Sequence, residues 1–172
     1  DFNYASAGNG TAPHFSAEIF ELESGAQMAH VPYRGAAPAM NDTMAGQTQV
    51  MFPSLFSAYP HVKGGKLRAL ALAGPKRSSL LPDVPTLEEA GLKGFNIGTW
   101  FGVLAPAATP RDIQARLNSE MVKIIKSPEF VKRMTDLGYI IMGTSPETMA
   151  EMNKAEVQRW GPIVKASGAK AD

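Results

Sequence analysis

The run Ser6-Ala7-Gly8-Asn9-Gly10-Thr11, with Pro13 and His14 just beyond it, carries the first recognisable chemistry in this chain. A glycine turn leading from a strand into a helix aims backbone N–H groups toward the helix N-terminus, where the macrodipole favours a negative group. Ser6 and Thr11 add hydroxyl donors, and the glycines let a ligand approach the backbone closely. Such a set suits a carboxylate or another small anion. The same residues also describe a plain tight turn with Thr11 as the helix N-cap. Two nucleotide readings fail on spacing. The dinucleotide fingerprint requires a third glycine where Pro13 stands, and no Gly-Lys-Ser/Thr run follows a glycine at P-loop spacing.

Two further junctions could share that chemistry. Pro32-Tyr33-Arg34-Gly35-Ala36-Ala37 is a second strand-to-helix turn, and Phe52-Pro53-Ser54 is a third. In an open parallel sheet such loops open on one edge, outside the carboxyl ends of the strands. Gly35 and the backbone after it are the better ligand contacts there; Arg34 reads as a solvated charge, and Tyr33 offers a ring and a hydroxyl. Ser54 could cap a helix, donate to a ligand, or do both. Catalysis has little support. No Gly-x-Ser-x-Gly elbow surrounds any serine. His14 packs or hydrogen-bonds beside its loop, and His30 lines the core or is satisfied by a neighbour. His61 has no second ligand at metal spacing. No catalytic residue, metal site or cofactor is therefore assigned.

The elements that position these loops follow from hydrophobic period and punctuation. Residues 2–7 read as a strand, followed by a helix with Phe15, Ile19 and Leu22 on one face and Gly25 at its stop. Residues 28–31 form a second strand, 36–45 an Ala- and Met-rich helix, 49–52 a third strand, 54–62 a short helix, and 67–72 a buried strand. Strands alternating with helices at short spacing indicate an α/β domain with a largely parallel sheet. Leu81-Pro82-Asp83-Val84-Pro85 is an extended loop, and Thr86 with Glu89 forms a capping box opening a short helix. Strands are expected at 97–104 and 139–142. Helices are expected after Thr109-Pro110, with Ile113, Leu117, Met121, Ile124 and Ile125 on one face, after Ser127-Pro128, with Phe130, Val131, Met134 and Leu137 inward, and after Ser145-Pro146. A boundary falls near Gly98.

Composition narrows the class. The 172 residues are 44% hydrophobic and 19% charged with a formal net charge of +1, which is ordinary globular material. No strong cluster of Lys and Arg exists, which argues against nucleic acid as a partner. Cysteine is absent, which removes thiolate metal sites and disulfides, and no run of about 18 apolar residues is present.

Ser-x-Gly-x-Gly-Thr-x-x-His at Ser6–His14 and His30-Val31-Pro32-Tyr33-Arg34-Gly35 together resemble the Bug family, the extracytoplasmic receptors of tripartite tricarboxylate transporters. The likeness continues through Gly65–Ala71, Leu81–Gly91, Trp100-Phe101-Gly102, Ala105-Pro106 and Arg159-Trp160. The resemblance implies a periplasmic-binding-protein-like, type II Venus-flytrap lobe with a mostly parallel sheet flanked by helices. Residues 1–97 would be the ligand-binding lobe, and 98–172 the returning segment of the other lobe. It implies a periplasmic protein that captures a small carboxylate (a dicarboxylate, tricarboxylate, acidic amino acid or aromatic acid) and hands it to membrane transporter subunits. Carried onto this chain, the contacts fall on Ser6, Ala7, Gly8, Asn9, Gly10, Thr11, His14, Tyr33, Gly35 and Ala36, with Ser54 nearby. A carboxylate-sensing input to a membrane signalling partner is the alternative, and a small hydrolase using Ser6 and His14 is a distant third. Members of the family carry a further N-terminal portion, so the segment from Gly98 is expected to lack packing partners. The expectation is a homodimer, formed by exchange of the C-terminal half, or a piece of a longer protein.

Overall fold

The computed structural model describes residues 2–93, 95 and 97–167. Asp1, Gly94, Asn96 and residues 168–172, all within the two expected segments, lie outside the described residues. The chain divides into two compact units, one of Asp1–Thr99 with Gly161–Asp172 and one of Trp100–Trp160.

The first unit is α/β with a parallel sheet. Its elements run β1 (Phe2–Ser6), α1 (Ala12–Ser24), β2 (Met28–Pro32), α2 (Ala36–Met44), β3 (Val50–Met51) and α3 (Leu55–Lys63). The sheet order is β2-β1-β3, all parallel, so β1 is central. Centrality explains its sequence: Tyr4, Ala5 and Ser6 are 0% exposed, because side chains alternating to both faces are all covered. Register places Tyr4 beside His30 and Ser6 beside Pro32. Tyr4 and His30 therefore share the face under α1, which buries His14, Ser16, Ala17 and Ile19. The right-handed crossover rule puts α2, with Ala39 and Met40 buried, on the opposite face. Pro13 at the start of α1 has no N–H for the helix to satisfy, and Gly25 ends the helix in the left-handed region at φ 72°.

Several expected strands do not form. Residues 67–72 keep the alternation of half-buried and exposed side chains, but only Leu72 pairs, in one parallel bridge to Thr86. Leu72 donates to Pro85 O at 2.8 Å and accepts from Leu87 N at 2.9 Å, while Ile97 N donates to Ala73 O at 2.8 Å. The proline-stiffened loop thus takes the edge a longer strand would use. The helix expected after Thr86 is a single turn closed by Ala90 N to Thr86 O. Its capping box is present, with Thr86 N donating to Glu89 Oε2 at 2.8 Å and Glu89 N to Thr86 Oγ1 at 3.1 Å. Arg77 clamps the same carboxylate from Nε at 2.8 Å and reaches Pro82 O with Nη1.

The second unit contains α4 (Arg111–Ile125), α5 (Pro128–Asp136) and α6 (Pro146–Ser167) up to Trp160. Residues 97–104 and 139–142 are not strands: beyond the single bond from Ile97 N to Ala73 O, neither joins a ladder among the described residues, and a lone strand leaves its backbone groups unpaired. Phe101, Val103 and Leu104 are 77%, 71% and 84% exposed. The apolar stripe of α4 is also uncovered at Ile113, Leu117 and Ile124, and Val131 of α5 lies outward rather than inward. Phe130, Met134 and Leu137 are half-buried. Asn118 Nδ2 ties α4 to Thr144 O at 3.1 Å, and Ser127 caps α5 through Phe130 N. At Gly102 any Cβ would run into Met149 Cε.

The turn at Thr86 yields a test. Thr86→Val keeps the side-chain volume and deletes the hydroxyl, so unfolding free energy should fall by about 1 kcal/mol. The Glu89 carboxyl is held low first by the Thr86 amide and then by Arg77. Its contribution is complete above the unfolded value near 4.5 and is lost as pH falls through the lower folded value. Glu89→Gln should accordingly flatten the acid limb of the denaturant-midpoint curve. An unchanged limb in that variant would refute the turn's role.

Candidate functional site

The three βα junctions open at one edge of the sheet, since β1, β2 and β3 are parallel. In the order β2-β1-β3 the chain first steps to one side of β1 and then returns to the other. The crevice of an open sheet lies at that reversal, outside the carboxyl ends of β1 and β3. Residues 6–14 and Phe52-Pro53-Ser54 border it by topology. The second junction is fastened to the first by two backbone bonds that continue the ladder past the strands: Tyr33 N to Ser6 O and Gly35 N to Ala7 O, both 3.1 Å.

The first loop consumes most of its own donors, and this corrects the expectation that they face a ligand. Gly8 N donates to Ser6 Oγ at 3.1 Å, Gly10 N to His14 Nδ1 at 3.1 Å, and Thr11 N to Gly8 O at 3.3 Å. The hydroxyls also turn inward. Ser6 is fully buried, with Oγ 2.6 Å from His30 Nε2, and Thr11 Oγ1 donates to Gly8 O at 2.7 Å. Thr11 precedes α1 in extended conformation but makes no side-chain cap bond. A side chain at Gly8 is disfavoured on two counts: its φ is 126°, and a Cβ would sit 3.3 Å from Tyr33 O.

Donors are left at the helix openings. Ala12 and His14 stand in the first turn of α1, where backbone N–H groups have no carbonyl one turn behind and Thr11 supplies no cap. Ala36 and Ala37 open α2 in the same way, and the Gly35 side chain is absent, so nothing caps them. Ala36 and Ala37 are exposed, and the space a side chain would occupy at Gly10 and at Gly35 is empty. Asn9 is exposed at the loop tip. No Asp or Glu occurs in residues 6–14, 32–38 or 52–58, whereas Arg34 is exposed with no hydrogen-bond or ion-pair partner among the described residues. An anion at this edge would meet helix N-termini and a cation, and no carboxylate from the loops themselves; Asp42 and Glu18 reach Tyr33 and His14 from the helices behind.

The remaining expected contacts have structural partners. The Tyr33 hydroxyl donates to Asp42 Oδ2 at 2.9 Å, which raises the phenol's pKa. Ser54 Oγ accepts from Ser57 N at 3.3 Å and lies 2.9 Å from Ser57 Oγ, so it caps α3. His14 is buried and makes the loop bond already described. Sequence reasoning did not single out the Ala12 amide, which counting from the Pro13 helix start would have found. It also gave no loop-holding role to His30, whose partner depends on strand register.

The family model described as tripartite tricarboxylate transporter family receptor (TctC) matches residues 1–169. The chain belongs to this family. Among curated relatives, a UPF0065 protein in the tcbD-tcbE intergenic region of Pseudomonas sp. (strain P51) is 39% identical over 94% of this chain and 48% of its own length. The chain spans about half the length of most curated relatives it matches, though 94% of one of them. An R. palustris protein solved with adipate superposes with TM-score 0.91 at 31% identity, covering 98% of this chain and 56% of that one. MatC from Rhodopseudomonas palustris with bound malate gives 0.86 at 32% identity, over 95% and 56%. The receptors thus share this chain's α/β fold with a parallel sheet flanked by helices. Among the described residues no group of His, Asp and Glu could hold a metal ion, and no helix is long and apolar enough to cross a membrane.

Gly8→Ala should cost about 1–3 kcal/mol of unfolding free energy, because the new Cβ forces φ away from 126° and crowds Tyr33 O. Urea unfolding measures it; a change below about 0.5 kcal/mol would show that the loop tolerates another conformation.

Proposed function

We propose that this chain supplies the ligand-binding lobe of a periplasmic receptor that captures a small carboxylate for transfer to membrane transporter subunits. Residues 1–97 form that lobe in this reading, and 98–172 belong to the returning segment of a second lobe. One observation carries it. The first turns of α1 and α2 present uncapped N–H groups around a loop whose own donors are largely engaged, at junctions whose own residues include no Asp or Glu. Neutral donors of this kind hold a carboxylate yet let it leave, as delivery to a membrane partner requires. The contacts we assign are the openings of α1 at Ala12 and His14, and Gly35, Ala36 and Ala37, with Ser6, the Ala7–Thr11 loop, Tyr33 and Ser54 shaping the site. Family membership and relatives solved with adipate and with malate support a dicarboxylate.

A thermal-shift series with adipate, malate, a tricarboxylate, an acidic amino acid and an aromatic acid tests the reading. Mass action gives about 2.7 kcal/mol at 100 times the dissociation constant. In a protein of this size that is a rise of about 5–10 °C. No response to any acid would remove the carboxylate assignment.

We also propose that the uncovered faces of the second unit, at Phe101, Val103, Leu104, Ile113, Leu117 and Ile124, are buried in a homodimer. No described residue from 100 to 160 is fully buried, so this unit gains most from such cover. Light scattering at micromolar concentration should give twice the 18.4 kDa chain mass. A monodisperse monomer would contradict the dimer.

A further inference from the structure

Beneath the glycine loop lies a cluster of polar side chains; the proposed ligand contacts use the backbone of one member, His14, and none of the side chains. Tyr4 and His30, register partners on β1 and β2, stack with ring centroids 4.7 Å apart, and His14 of α1 stacks on His30 at 4.2 Å. Phe15 lies tilted against His14 with ring centroids 5.4 Å apart. Glu18 Oε1 accepts the Tyr4 hydroxyl at 2.7 Å and lies 3.4 Å from His14 Nε2. The groups facing the two imidazoles are thus Tyr4 from β1, Glu18 from α1, and each other, with Glu21 of α1 acting on Tyr4 through space.

Each imidazole holds one corner of the loop. His14 Nδ1 accepts the Gly10 N–H, which requires a lone pair on that nitrogen and places the proton on Nε2, toward Glu18. His30 Nε2 fixes Ser6 Oγ, and Ser6 Oγ in turn accepts the Gly8 N–H. We propose that His14 and His30 are the positioning residues of the ligand loop, and that the loop keeps its binding shape only while His14 Nδ1 is unprotonated. A proton there sets N–H against N–H at Gly10, and the amide must turn away. Ser6 relays the His30 side differently: its hydroxyl can give or take the shared proton, so that corner survives protonation better. Burial, and then the neighbouring His14, lower the His30 pKa, in keeping with a stack that resists a second positive charge. The inference rests on the carboxylate reading above and adds to it a dependence of affinity on pH that no ligand contact imposes.

Two measurements test it. Calorimetric titration of the whole chain with malate and with adipate at pH 8.0, 7.0 and 6.0 should show affinity falling with pH. The limit is about tenfold per pH unit for one linked proton. His14→Asn places a carbonyl oxygen near the Nδ1 position without a titrating proton; whatever its affinity at pH 8.0, that affinity should not change with pH. His14→Ala should bind weakly throughout. Hydrogen exchange of the Gly10 amide, corrected for intrinsic rate, needs no ligand. Its protection should drop from pH 8.0 to 6.0 in the wild type and stay constant in His14→Asn. Equal slopes in wild type and His14→Asn, or a pH-independent Gly10 protection, would overturn the proposal. If neither acid binds at pH 8.0 while Gly10 protection still follows pH as stated, the carboxylate reading fails and the positioning role stands.

Discussion

Burial of β1 on both faces is the constraint from which the rest of the first unit follows. A strand covered on both sides has to place Tyr4 and Ser6 under one helix and Ala5 under the other. Polar atoms so placed need partners, because an unsatisfied buried hydroxyl costs about 1–3 kcal/mol. Tyr4 finds Glu18, and Ser6 finds His30 and the Gly8 amide. Satisfying these two residues fixes where α1 lies and how the chain leaves β1. The shape of the glycine loop is therefore set from below, by the sheet, before any ligand arrives.

The division of donors follows from that arrangement. The Gly8, Gly10 and Thr11 amides inside the loop are engaged by Ser6, His14 and the Gly8 carbonyl. Amides at the openings of α1 and α2 have no internal acceptor, as the first turn of any helix lacks one. The two backbone bonds from Tyr33 and Gly35 to Ser6 and Ala7 join the two junctions that lead into these helices. Preorganised donors lower the ordering cost of binding, which is how a small ligand can be held without a charged clamp.

Much of this was legible in the sequence. The alternation of strands and helices gave the parallel sheet and the three junctions, and the glycine turn into a helix N-terminus suggested an anion. Donor assignment was not legible at Ser6 and Thr11, whose hydroxyls turn inward. Their partners, His30 and Gly8, depend on strand register and on a φ of 126° that spacing does not encode. Residues 67–72, 97–104 and 139–142 carry strand-like patterns yet form no extended ladder. Side-chain alternation is a local property, whereas a strand also needs a neighbour with free backbone groups. The family strings at Ser6–His14 and Leu81–Gly91 carried more functional information than any physical pattern, and they agree with the match over residues 1–169.

The central claim is that a carboxylate sits on the openings of α1 and α2 and not on a side-chain cation. Amide chemical-shift mapping of the chain during titration with malate addresses it most directly. The account predicts the largest saturable shifts at Ala12, His14, Ala36 and Ala37. Shifts confined to residues 100–160, or centred on the Arg34 side chain with those four amides unmoved, would contradict it.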